Sequence, residues 1–197
     1  MRGIRRGIVL ESVAKESMRA RCQLLPETVM VQPRWYVLYT FANHEKRVAS
    51  ELRARTVEHF LPLYRSVRCW KDRQVTLDLP LFPGYVFVHL ALRDRLRVVQ
   101  VPSVVRLVGF NGMPAPLSDT EMEVMRSGLS TCLGAEPHPF LTVGRRVRIT
   151  AGPFAGLEGV LTRKKNNLRV VVSIDLIQRS IAIEIETPEL KALLEKA

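Results

Sequence analysis

A chain of 197 residues with 47% apolar content suffices for one medium domain or two small ones, each with its own core. Thirty Lys and Arg against 19 Asp and Glu leave a formal charge of +11, which favours a polyanionic partner through long-range attraction and counterion release without specifying which one. The apolar runs are strand-length and interrupted, short of the roughly 18 residues a spanning helix needs, and Gly7-Ile8-Val9-Leu10 is too short for a signal-peptide core, so no membrane association and a cytoplasmic location are expected.

Residues 1–33 mix small, basic and polar side chains without a sustained period, the pattern of a flexible or weakly helical extension, and Met18 and Met30 leave the true start open. Arg34 to Thr40 is an apolar strand. Asn43 then offers an N-cap for a helix reaching Arg55, with Val48, Leu52 and Ala49 facing inward and Lys46, Arg47 and Arg53 outward. Phe60 to Tyr64 starts an extended segment, Arg68 to Asp78 reads as a charged hairpin, and Phe82 to His89 as a buried edge strand. Ser118-Asp119-Thr120-Glu121 is a capping box that opens a last helix with Met122, Met125 and Leu129 on its inner face.

Between Gly128 and Phe140, Gly134, Pro137 and Pro139 interrupt all periodicity, which marks a connector at 131–141 between a first domain (34–130) and a second (142–197). In the second, Val147 and Ile149 alternate with Arg146 and Arg148, Gly152-Pro153 supplies a turn, and Gly156 and Gly159 permit positive φ or close backbone approach. Val170-Val171-Val172 and Ile181 to Ile185 strongly favour strand. The expected class is α+β: an antiparallel sheet with flanking helices, followed by a small SH3-like barrel.

No catalytic constellation is present. His44, His59, His89 and His138 are scattered without a His-Glu-x-x-His pair, and the glycine cluster lacks the Gly-Lys-Ser/Thr end of a phosphate loop. Cys22, Cys69 and Cys132 contain no Cys-x-x-Cys pair, so reduced thiols are expected rather than a disulfide framework or a zinc knuckle. The expectation is a binding protein, without enzyme activity, cofactor or metal.

Gly-Pro-Phe-Ala-Gly-Leu-Glu-Gly (152–159) within its alternating strands resembles a KOW module. Arg34-Trp35-Tyr36-Val37-Leu38-Tyr39-Thr40, Leu81-Phe82-Pro83-Gly84-Tyr85-Val86-Phe87-Val88 and Val101 to Phe110 together resemble the N-terminal domain of the NusG transcription factors. Phe60 to Tyr64 and Arg68 to Arg73 look more like the specialised UpxY and RfaH type. The resemblance implies a transcription elongation and antitermination factor that binds RNA polymerase through Tyr39, Phe82, Tyr85 and Phe87. It further implies that Lys46, Arg47, Arg53, Arg68 and Arg73 face the non-template DNA strand. In the barrel, Phe154, Leu157, Ile174 and Arg179 match positions that touch a small-subunit ribosomal protein or Rho, although Asp175 to Gln178 departs from the housekeeping form, which argues against Rho. The constitutive strand propensity opposes the all-helical alternative known for RfaH. The competing reading, a ribosome-associated RNA-binding KOW protein, explains the charge and the barrel but leaves the pattern from Trp35 to Asp119 unused.

Overall fold

The computed structural model describes residues 30–70, 73–131, 135–138, 146–164, 167–184 and 190–192. The extension over residues 1–29 lies outside the described residues, as do Cys22 and Cys132. The chain forms two compact units that do not follow chain order. One holds residues up to His59 together with Tyr85–Leu117, and the other holds Phe60–Gly84 and Ser118–Ala197. This grouping cuts across the boundary expected near residue 131.

The first unit is built on β1 (Arg34–Thr40), α1 (Glu45–Ala54), β2 (Glu58–Phe60), β5 (Tyr85–Leu90), a short helix α2 (Leu96–Val99) and β6 (Val104–Leu107). Strands β3 (Leu63–Trp70) and β4 (Arg73–Pro80), which lie between β2 and β5 in sequence, belong to the second unit. The sheet order is β2-β5-β1-β6. Tyr36 pairs with Val88, Val37 with Phe87 and Tyr39 with Tyr85. Tyr36, Val37, Leu38, Val86, Phe87 and Val88 are all fully buried, each contributing about 1.5–3 kcal/mol through removal of apolar surface from water. Helix α1 lies against β5 and buries Val48 and Leu52, as its spacing predicts, while Lys46, Arg47 and Arg53 remain exposed.

Two local expectations are corrected. Asn43 is not the N-cap: it has φ +63 in the turn where the His44 amide donates to the Phe41 carbonyl at 3.1 Å, and the cap position passes to His44. Asparagine tolerates the left-handed region that this reversal requires. The strand expected over Phe82 to His89 begins only at Tyr85 and is not an edge, since β5 lies between β2 and β1. Pro83 offers no amide for a ladder, and Gly84 turns at φ +84.

In the second unit β3 and β4 pair from Leu63↔Pro80 to Trp70↔Arg73, the charged hairpin anticipated from the sequence. Two-residue strands β7 (Gly109–Phe110) and β8 (Met113–Pro114) complete the first unit. Helix α3 (Asp119–Thr131) starts as its capping box predicts, with the Glu121 amide donating to Ser118 Oγ at 3.4 Å, and it buries Met122 and Met125. It ends at Thr131, where the connector was expected to begin.

Six strands follow: β9 (Glu136–His138), β10 (Arg146–Ile149), β11 (Glu158–Lys164), β12 (Asn167–Ile174), β13 (Arg179–Glu184) and β14 (Leu190–Ala192), in the order β14-β10-β11-β12-β13-β9. Five of them supply the SH3-like barrel; β9 comes from the expected connector. Val147 and Ile149 are buried while Arg146 and Arg148 are exposed, the alternation read from the sequence. Gly156 has φ +98, and a Cβ at Gly159 would sit 2.6 Å from the Val171 carbonyl oxygen, so one glycine serves backbone conformation and the other close packing between strands.

Candidate functional site

The sheet of the first unit carries a row of side chains across three strands. Tyr39 on β1 is in register with Tyr85 on β5 and with Arg106 on β6. The two tyrosine rings lie 5.5 Å apart at an interplanar angle of 44°, and the Arg106 guanidinium carbon sits 6.0 Å from the centre of the Tyr39 ring. Alternation along β1 places Tyr39 on the same face as Val37 and Trp35, yet Tyr39 is 39% exposed whereas those two are buried. A tilted aromatic pair flanked by a cation presents apolar area, ring faces and two hydroxyls to a partner.

The row continues into the turn after β1. Phe41 is 53% exposed, its ring edge-on to His44 at 6.3 Å. His44 Nδ1 is 2.7 Å from Ser103 Oγ, and the Phe41 amide donates to the Ser103 carbonyl at 3.0 Å. These bonds tie the turn, and with it the start of the helix that carries exposed Lys46, Arg47 and Arg53, to the segment before β6. An aromatic surface thus passes directly into a basic helix face. Phe110, at the tip of the β7–β8 pair, is the most exposed large apolar side chain among the described residues.

The structure divides the residues singled out by sequence. Tyr39 is exposed and Tyr85 half-buried, but Phe82 and Phe87 are inside the protein and present no surface. Phe87 stands opposite Val37 in the middle of the sheet, where its neighbours cover it. Lys46, Arg47 and Arg53 come together on α1; Arg68 and Arg73 lie on the β3–β4 hairpin of the other unit, with Arg73 exposed. In the barrel Phe154, Leu157 and Ile174 are buried apolar residues, and only Arg179 of that set is exposed. Phe41, Arg106 and Phe110 were missed. The aromatic residues carried a signal only as apolar residues beside turn-forming glycine or asparagine, and Arg106 becomes part of the site through strand register.

Among the described residues no group of three or more His, Cys, Asp or Glu side chains is placed to hold a metal ion, and no helix is long and apolar enough to cross a membrane.

Residues 33–126 match the family described as transcription termination factor nusG, and residues 143–175 match the KOW motif. The chain is 32% identical over 177 residues to the transcription termination/antitermination protein NusG of Vibrio vulnificus, covering 81% of this chain and 96% of that protein. It is 33% identical over 159 residues to the protein of the same name from Escherichia coli K12, covering 72% of this chain and 87% of that one. Among solved structures, Thermotoga maritima NusG, described for its domain interaction, aligns with a TM-score of 0.51 at 25% identity, covering 83% of this chain and 98% of that one. With a nusG match over residues 33–126, a KOW match over 143–175 and relatives more than 30% identical along most of its length, the chain belongs to the NusG family of transcription termination/antitermination proteins.

Proposed function

We propose that this factor docks on RNA polymerase through the exposed row Tyr85–Tyr39–Arg106 with Phe41, reduces pausing or termination, and recruits a second partner through its barrel. The observation that carries the reading is the Tyr39–Tyr85 pair, an aromatic couple with Tyr39 exposed and Tyr85 half-buried, held by strand register rather than by a flexible loop. Aromatic and arginine side chains of this kind are the usual anchors of protein interfaces, and a groove between helices accepts them well. Phe82 and Phe87 are buried. Their place in the docking set is taken by Phe41 and Arg106.

Lys46, Arg47 and Arg53 lie beside this surface and are suited to the phosphates of an exposed single DNA strand, each contact releasing counterions. Arg68 and Arg73 of the hairpin are a second candidate contact for the same strand. In the barrel Arg179 is the residue of the expected partner set that a ribosomal protein would meet directly. The action on polymerase is a population shift, which requires tighter binding to the elongating state than to the paused one.

The test is binding of the full chain to a reconstituted polymerase elongation complex. The double variant Tyr39→Ala, Tyr85→Ala is expected to lose about 10- to 100-fold in affinity, the effect of truncating interface anchors worth roughly 2 kcal/mol or more, with its circular dichroism unchanged. Unaltered binding of that variant would sink the assignment of the surface. No binding of the wild type at any salt concentration would sink the polymerase reading itself.

A further inference from the structure

Arg169 on β12 is a cation held inside the second unit, with only 9% of its side chain exposed. Its Nη1 donates to Glu136 Oε2 at 2.8 Å, and its Nε donates to Glu184 Oε1 at 3.1 Å, a contact that Nη2 shares. Glu184 is its register partner on β13, while Glu136 lies one strand farther out on β9, opposite Ala182. The guanidinium therefore spans three strands. Ala182, opposite Glu136 and two residues before Glu184 on β13, carries only a methyl group. A buried guanidinium is costly without matched acceptors, and with Glu184 serving Nε and Nη2 the remaining Nη1 favours a second carboxylate from whatever occupies the β9 position.

The backbone grip of β9 is weak by comparison. Among the described residues it pairs only with Ser180–Ala182 of the six-residue β13, and its central residue, Pro137 opposite Ile181, has no N–H to donate to the ladder. The strand covers only part of a longer edge, and the ion pair adds to its hold there. The same edge strand begins with the exposed cation Arg179, so the charge of the site favours an acidic occupant. Strand edges are templates for added strands, with main-chain bonds giving affinity and side-chain pockets giving selectivity.

We propose that the β13 edge is a strand-addition site, filled in cis by Ala135–His138 and open, when that segment lifts off, to an extended segment of another protein bearing a carboxylate at the Glu136 position. The connector is then a competitor for its own barrel, and a partner strand that supplies the acid takes over the Nη1 of Arg169 in place of Glu136.

The experiment uses the full chain and a synthetic peptide copying residues 134–141. Glu136→Lys places a like charge against Arg169 and releases the cis strand; Glu136→Gln does so more gently and serves if the lysine variant fails to fold. The released chain is expected to bind the peptide at least tenfold more tightly than the wild type, and a peptide with Gln at the position of Glu136 is expected to lose at least tenfold. Amide exchange in β13 rises in the variants. The proposal is overturned if a folded variant does not bind the peptide, if the Gln peptide binds as well as the Glu peptide, or if β13 exchange is unchanged. It is also overturned if light scattering shows released chains pairing by exchange of this strand between two copies.

Discussion

Gly128 of α3 lies flat against the ring of Phe154: a Cβ at that glycine would sit 2.4 Å from both Cδ1 and Cε1 of the phenylalanine. A glycine inside a helix costs about 1 kcal/mol relative to alanine, and here it admits a buried aromatic ring against the helix backbone. Gly128→Ala is therefore expected to lower stability despite better helix propensity, by about 1–2 kcal/mol net, since overpacking typically costs 1–3 kcal/mol. Thermal melting checks the sign. A higher Tm would mean that the ring has room to move, and the added variant Phe154→Leu is expected to recover most of the loss.

The two glycines of the barrel turn differ in why they are glycine. At Gly156 nothing lies within 4 Å of a built Cβ but φ is +98, whereas at Gly159 the obstacle is the Val171 carbonyl and the Val170 side chain, both at 2.6 Å. Gly156→Ala should cost about 1–2 kcal/mol, the strain of an L-residue in that region. Gly159→Ala should cost more, because strand backbone must part. Chemical denaturation of the two variants ranks them, and equal midpoints would contradict this account.

Surface and core aromatics on the same strand predict opposite phenotypes. Phe87→Ala should destabilise the protein by about 3–5 kcal/mol, the cost of a large cavity in a sheet core. Tyr85→Ala, two residues earlier and half-exposed, should leave Tm within a few degrees, since a loss below about 1 kcal/mol moves a domain of this size little. Its effect should appear in polymerase binding instead. A Tm drop for Tyr85→Ala as large as that of Phe87→Ala would return Tyr85 to the core.

Hydrogen bonds donated to Glu136, then to Glu184, hold the Arg169 guanidinium above its ordinary pKa, against the opposing effect of burial. A base whose folded pKa is raised contributes stability that is complete below its unfolded pKa and is lost only as pH rises through the folded one. For an arginine both limits lie beyond the working range. The stability difference between wild type and Arg169→Gln should accordingly be flat from neutral pH to about pH 10. It should amount to about 1–3 kcal/mol, less than for a fully buried pair because both carboxylates can rehydrate. Melting curves of the two proteins across that range provide the check, and a difference that shrinks toward pH 10 would contradict a permanently charged clasp.

What the sequence determined by itself is local. Alternation placed Val147 and Ile149 inward and Arg146 and Arg148 outward, helical spacing buried Val48 and Leu52, and the capping box at Ser118 opened α3, because side-chain direction and turn chemistry follow from the backbone period of a few residues. The family was legible for the same reason, since its motifs are runs of consecutive residues. What only the tertiary structure decided is which faces are covered. Phe82 and Phe87 read like Tyr39 and Tyr85 along the chain, yet two are buried and two reach solvent, because exposure depends on distant elements laid over each strand. Arg106 beside Tyr39, Phe154 beneath Gly128, and Arg169 reaching across β13 to Glu136 are likewise non-local. Each meeting joins residues far apart in sequence, where period and propensity carry no information, and strand register together with the packing of whole elements sets the distance.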